Sequence, residues 1–397
     1  MNVGIPFWAT LFVAVVVYWL LPRGRDWFLI AVSFGYLASL APWSVAALLG
    51  WFLLFHWLVP KTRSSGNRRL LAALCLAVLG YLAFFKYIPP LANDLAGYLG
   101  MSHFELSVVL PLGISYFTFK LIHYAIEVSR GSIPPHPPRL FLLYLLLFPI
   151  FPAGPIERFD RFLANRETSW HRDLLADGLT RIVHGLIKKF FFAECILLPL
   201  VTWPKPDTAN LLATLEYTSV GLVWTHLGVW FLYFYLDFSA YSDLAIGASR
   251  LFGFRICENF NFPLVATNLG DFWKRWHMSL AQWCQGYVYM PLIGLTRNPY
   301  LAVYAAMISI GLWHAGSLHW LCWGVYHASG LVVFQTWLRL KRKYKLVGRD
   351  NALANVAGRV ATWMFVTAGY AFLVTQSAGI WSAVRLLAKL VGLNLPA

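Results

Sequence analysis

The chain has 397 residues, 59% of them hydrophobic and 12% charged, with a mean hydropathy of +0.60. That balance leaves no room for a soluble domain of appreciable size and belongs to a polytopic membrane protein. The net charge of +15 is read as basic loops facing anionic lipid, not as a nucleic-acid surface, and five cysteines scattered singly exclude a disulfide framework or a zinc cluster.

Apolar runs recur at 6–21, 27–40, 43–59, 70–87, 141–151 and 218–236. The first lacks a basic leader and a small-residue cleavage site, so it is expected to stay as a helix. At some 20 residues per crossing, the pattern predicts an all-α polytopic membrane protein of about ten to twelve transmembrane helices, with re-entrant and interfacial helices around a central cavity. Basic residues follow the first run (Arg23, Arg25) and the third (Lys61, Arg63, Arg68, Arg69), and return at 158–172 and 339–349. By the positive-inside rule these loops are cytosolic. The stretch 89–107, with Asp94 and Glu105 but no lysine or arginine, is then external, as is the amino terminus.

Two stretches do not read as simple spans. Phe148 to Pro155 reads FPIFPAGP, and its prolines free backbone groups that lipid cannot satisfy, so protein or a wet cavity must surround it. Asp237 to Phe254 opens with Asp237, Ser239, Tyr241, Ser242 and Asp243, too polar for a lipid-facing start, and predicts a re-entrant or cavity-lining element.

The most polar segment runs from Asn259 through Asn261 to Trp283. Phe272, Trp276, Leu280 and Trp283 recur at helical spacing, predicting one interface helix over 271–283 with Asp271 pairing Arg275 one turn on. His277 lies one position off that stripe, where the helix would form the floor of a cavity.

Gly311 to Ala328 reads GLWHAGSLHWLCWGVYHA and brings His314, His319 and His327 into an otherwise apolar run. A helix rising about 1.5 Å per residue from the polar residues 296–299 carries His314 roughly 22 Å into a core about 30 Å thick, where an ionisable group is costly and a functional candidate. The chain is expected to cross through 302–312, turn at 315–317 and return through 320–338. His314 and His319 are five apart, not the three or four that share a helical face, so no metal site is expected. His319 and His327 read as satisfied structural histidines, and His123, Glu127 and Arg130 as a structural polar cluster.

PLGISYFTFK (111–120), FPAGPIERF (151–159), GLIKKFFFAE (185–194), YLDFSAYSDLAIG (235–247), NFNFPL, FWKRWHMSL (272–280) and GLWHAG (311–316) follow one another in an order that resembles the membrane-bound O-acyltransferases. The resemblance implies a single membrane domain over 1–397, with N-terminal helices to 107, a catalytic core over 108–338 and C-terminal helices over 339–397. It implies that His314, in the GLWH motif, is catalytic and that His277 is a second functional position. GPIERFDRF looks like the branch that helps D-alanylate teichoic acids, whereas YSDLAIG, GFRICENFNFP and GLWHAG look like the branch that helps O-acetylate alginate.

The expected reaction is transfer of an acetyl or D-alanyl group from a cytosolic thioester, acyl-coenzyme A or an acyl-phosphopantetheine carrier protein, to a hydroxyl outside. The acceptor would be a glycopolymer or an extracytoplasmic acyltransferase, and the setting a bacterial cytoplasmic membrane. His314 would be the general base and His277 would position the thioester or its carbonyl, with Lys274, Arg275 and Trp276 holding the donor and Asp237, Tyr241, Asp243 and Asn261 lining the cavity. No bound cofactor is needed. The alternative is a proton-coupled transporter or flippase, in which the histidines with Asp237 or Asp243 would relay protons.

Overall fold

The computed structural model describes residues 4–98, 106–202, 207–345 and 352–396; Glu105 and Arg349 lie outside them, as does the side chain of Asp94. Helices account for the secondary structure, and the one isolated β-bridge among the described residues joins Arg166 to Phe254. The chain divides into two compact units, residues 1–185 with 241–257 and residues 186–240 with 258–397.

The first unit contains α1 (Ile5–Leu20), α2 (Arg25–Leu40), α3 (Pro42–Ser64), α4 (Arg68–Lys86), α5 (Ile88–Tyr98), α6 (Ile114–Arg130), α7 (Pro138–Leu146), α8 (Phe159–Ala164) and nearly all of α9 (Arg172–Leu186). Its core is aromatic: Tyr124 stacks on Phe141 with centroids 3.7 Å apart, and Phe159, Phe162 and Phe254 continue the cluster. The proline-broken 148–155 stretch is surrounded by protein, as its sequence requires. Phe148, Ile150 and Phe151 are buried, the Phe148 amide donates to Ser33 Oγ, and the Gly154 amide donates to the Ile150 carbonyl.

The second unit holds a π-helical stretch (Ile187–Leu197), α10 (Pro199–Thr202), α11 (Thr208–Ala213), the first part of α12 (Val220–Leu251), α13 (Leu269–Trp273), α14 (Met278–Cys284), a π-helical turn (Gln285–Tyr289), α15 (Met290–Thr296), α16 (Pro299–His314), α17 (Leu318–Lys343), α18 (Ala352–Gly369), α19 (Ala371–Val374) and α20 (Ile380–Leu390). Leu227, Phe231, Phe272, Val366, Tyr370 and Leu386 share its core.

Two expectations are corrected. Residues 237–251 are not a re-entrant element but the second half of α12, a continuous helix of 32 residues. Its acids are met by distant cations: Asp237 by Lys189, and Asp243 by Arg181 at 2.6 Å. The interface helix over 271–283 is broken at His277, whose φ of +42° lies in the left-handed region between α13 and α14. Among the described residues, Pro42–Ser64 and Arg68–Lys86, both expected, and Ala352–Val374, which was not among the apolar runs, are the helical stretches long and apolar enough to cross a membrane unaided, with Ile5–Leu20 a shorter apolar helix. Outward-facing Phe12, Val13, Val16 and Leu20 on α1 give the chain a lipid-compatible surface.

Candidate functional site

The α16/α17 hairpin, closed by residues 315–317, fixes one wall of the site. Gly311 and Gly324 let the two backbones touch: a Cβ on Gly311 would lie 2.3 Å from the Trp320 carbonyl oxygen, and one on Gly324 2.9 Å from the Ile308 Cα. Closure at that distance brings the last residue of α16, His314, face to face with Trp320 on the first turn of α17, with ring centroids 4.2 Å apart and planes 16° apart. Trp320 is held in turn by its indole N–H, which donates to Gln376 Oε1 at 3.1 Å.

The opposite wall comes from 259–284. The Met278 amide donates to the Asn259 carbonyl at 2.8 Å and the Asn261 amide to the Arg275 carbonyl at 3.0 Å, so the incoming strand-like segment, not a continuing helix, satisfies the backbone where α13 ends. Asn268 caps α13 by accepting the Asp271 amide, and Arg275 returns to Asp271 at 2.9 Å, the pair expected from their spacing. The resulting kink points the His277 side chain inward. It is 3% exposed, packed edge-on against Phe238 and Trp313, with Nδ1 3.3 Å from Asn259 Oδ1. Ser279 Oγ donates to the same oxygen at 2.6 Å, which marks that atom as the acceptor and assigns the ring proton to Nδ1. His277 Nε2 then presents a lone pair, and it is buried without a hydrogen-bond partner among the described residues. In this tautomer Nε2 accepts hydrogen bonds.

His277, Trp313 and His314 are successive ring contacts on the wall of one cavity of about 310 Å³, within the range of small-molecule sites and otherwise lined mainly by aromatic side chains. Trp276 lines it as well. Lys274 is exposed and Arg275 is engaged by Asp271 and the Asn261 carbonyl, so neither is a wall of the cavity. Asp237, Tyr241, Asp243 and Asn261 are not among the walls either; both aspartates are ion-paired and Asn261 is exposed.

The sequence profile of the membrane-bound O-acyltransferase family matches residues 71–375. The chain belongs to that family. It is 31% identical over 325 residues to a probable alginate O-acetylase of Pseudomonas putida, covering 78% of this chain and 65% of the relative. It is 31% identical to a teichoic acid D-alanyltransferase of Bacillus subtilis, covering 65% and 67%, and 28% identical to a peptidoglycan O-acetyltransferase of Helicobacter pylori, covering 93% and 74%. The match to the alginate relative of Pseudomonas aeruginosa covers 58% of that protein, so this chain spans less than two thirds of such relatives.

In this member of the family the cavity is also lined by residues that sequence reasoning passed over. His327, read there as a satisfied structural histidine, is a wall of the cavity, and its Nδ1 has no partner among the described residues. It packs on Trp323 and Trp273, four residues before it and on α13 respectively. The i, i+4 spacing of Trp323 and His327 was a usable signal, because it puts both rings on one face of α17. His319, the other histidine read as satisfied, is buried with Nε2 unpartnered among the described residues. Gln376 and Tyr370 lie beyond the motif-bearing region and carried no local signal.

Proposed function

We propose that this protein is an O-acyltransferase of a bacterial cytoplasmic membrane, moving an acetyl or D-alanyl group from a cytosolic thioester to a hydroxyl on the outer side. The observation that carries this reading is an aromatic cavity with three imidazoles on its wall, His277, His314 and His327, of which His277 and His327 are buried with one ring nitrogen unpartnered among the described residues. A buried polar atom left without a partner needs an explanation, and a substrate supplies one. The relatives named for alginate, teichoic acid and peptidoglycan support a glycopolymer hydroxyl, or a partner protein that passes the group on, as the acceptor.

In the proposed reaction the acceptor oxygen attacks the thioester carbonyl carbon while His314 takes the hydroxyl proton. The carbon–sulfur bond then breaks, and the imidazolium returns its proton to the departing thiolate, so no bound cofactor is required. His277 Nε2 accepts a hydrogen bond from a substrate N–H or O–H, and the stacked Trp320 fixes the plane in which His314 works. Acyl-coenzyme A and an acyl-phosphopantetheine carrier protein both fit as donor; both are anionic, and the basic loops would attract either.

The test is thioester-dependent transfer by purified protein at equal folded levels. His314→Ala is expected to lower the rate by about 10² to 10⁴, the range of a positioned general base. Near wild-type transfer by the folded variant would remove the assignment and leave His277 as the base.

A further inference from the structure

The first unit contains a second cavity, of about 420 Å³, whose chemistry is opposite to that of the histidine site. Its walls carry four arginines, Arg23, Arg25, Arg139 and Arg166, against a single acid, Asp26. Asp26 is already shared: one carboxylate oxygen accepts from Arg139 Nε at 3.2 Å and the other from Arg166. The carboxylate offsets one guanidinium, and the cavity keeps a net charge of +3.

Arg25 is locked in place. Its Nε donates to the Leu21 carbonyl and one Nη to the Thr168 carbonyl, both at 2.9 Å, the other Nη donates to the Trp19 carbonyl at 3.3 Å, and the guanidinium lies 4.8 Å from the Trp19 ring centroid. A guanidinium has five N–H donors, and these carbonyls occupy only part of that set. The same cavity receives the N-terminus of α2, a helix of 16 residues that starts at Arg25 after the N-cap Gly24, which offers no side-chain cap, so its first amides and the positive end of its dipole add to the field.

We infer that this cavity is a binding site for a phosphate-bearing anion, and the surroundings favour the phosphodiester headgroup of an anionic membrane lipid. Two of the four, Arg23 and Arg25, come directly after the apolar helix α1 and at the start of α2, where a chain would leave and re-enter the hydrocarbon. Trp27 on the rim is 59% exposed, as an aromatic anchor at a membrane–water interface is. Leu20, one turn before the arginines, is 76% exposed and offers an acyl chain an apolar surface beside the charged mouth. Arginine clusters recognise phosphate through paired N–H donors, and basic pockets at the ends of membrane helices take anionic headgroups. The site shares no lining residue with the histidine cavity.

The full-length protein in a neutral detergent is incubated with equal amounts of phosphatidylglycerol and phosphatidylcholine, and retained lipid is read by native mass spectrometry; inorganic phosphate is titrated separately by calorimetry. Preferential retention of phosphatidylglycerol is expected, with apparent affinity falling about fivefold for each of Arg23→Gln and Arg139→Gln, the worth of one basic residue near a charged surface. Arg23 is exposed, so its variant tests binding with the folded state intact, checked by circular dichroism. Binding of inorganic phosphate that the same variants weaken, without preference for phosphatidylglycerol, would keep the phosphate site and identify a soluble phosphate compound as its source. Equal retention of both lipids with no phosphate binding, or folded variants that hold phosphatidylglycerol as the wild type does, would overturn the inference. His314→Ala should leave lipid retention unchanged, which separates this site from the transfer reaction.

Discussion

His123 in the first unit and His277 in the second are equally hidden from solvent, at 1% and 3% exposure, yet their rings are used in opposite ways. His123 Nε2 accepts the Phe159 amide N–H at 2.9 Å, closing the loop that leads into α8. His277 commits only Nδ1, to Asn259, and leaves Nε2 buried without a partner among the described residues. Equal burial therefore hides two different hydrogen-bonding states. An unsatisfied buried nitrogen is uncommon in a folded chain, and on the wall of a cavity it marks His277 as a candidate for contact with a substrate.

That contrast is open to direct attack. The largest effect should come from His277→Ala, which we expect to lower kcat/KM for transfer by about 10²-fold, the cost of misaligning reactants by roughly an ångström, with little change in melting temperature. A variant that melted early but transferred at full rate would place His277 with His123. The reverse experiment is His123→Ala: it strands the Phe159 N–H and should cost about 1–3 kcal/mol of stability, while transfer per folded molecule stays at the wild-type rate. A specific loss of rate there would break the distinction from the other side. Asn259→Ala should fall between them, with about a tenfold loss of rate as the Nδ1 proton loses its partner; a pH–rate profile identical to that of the wild type would argue that Asn259 does not set the tautomer.

The smallest effect concerns Glu167 in the first unit. Burial pushes its carboxyl up, but hydrogen bonds from Arg250, His171 and Arg255 outweigh this and bring its pKa down from 4.5 to about 2. Because the folded value is depressed, the stabilisation is present above pH 4.5 and is lost as pH falls toward 2. Glu167→Gln should be slightly less stable at neutral pH and lose less on acidification, measured as melting temperature across that window. Parallel curves for the two proteins would show that the arginines do not depend on this carboxylate.

How much of this could be read from the residues alone depended on whether the cause was local. The Asp271–Arg275 pair and the turn at 315–317 follow from spacing, and the structure has both. The break at His277 does not, because what ends α13 is the backbone of Asn259 and Asn261, more than ten residues earlier, and periodicity counts no such partner. Likewise Asp237 and Asp243 looked like cavity residues because their cations, Lys189 and Arg181, are separated from them by 48 and 62 positions. His327 was misread for the opposite reason. Its spacing from Trp323 was visible, but whether its ring nitrogens find partners is a property of packing in three dimensions.

The missing side chains at Gly311 and Gly324 have a mechanical consequence. Where two helices meet through interposed side chains, rotamer changes let one slide on the other; where backbone meets backbone, as at the Trp320 carbonyl and the Ile308 Cα, that slack is gone. The hairpin then behaves as a rigid clamp, and the imidazole of His314 cannot drift from the indole of Trp320 without prising the helices apart. For the transfer proposed above, the alignment entropy of His314 would be met once, when the chain folds, and not at every turnover. A methyl group added at Gly311 would wedge the clamp open at its closed end, moving His314 without touching it.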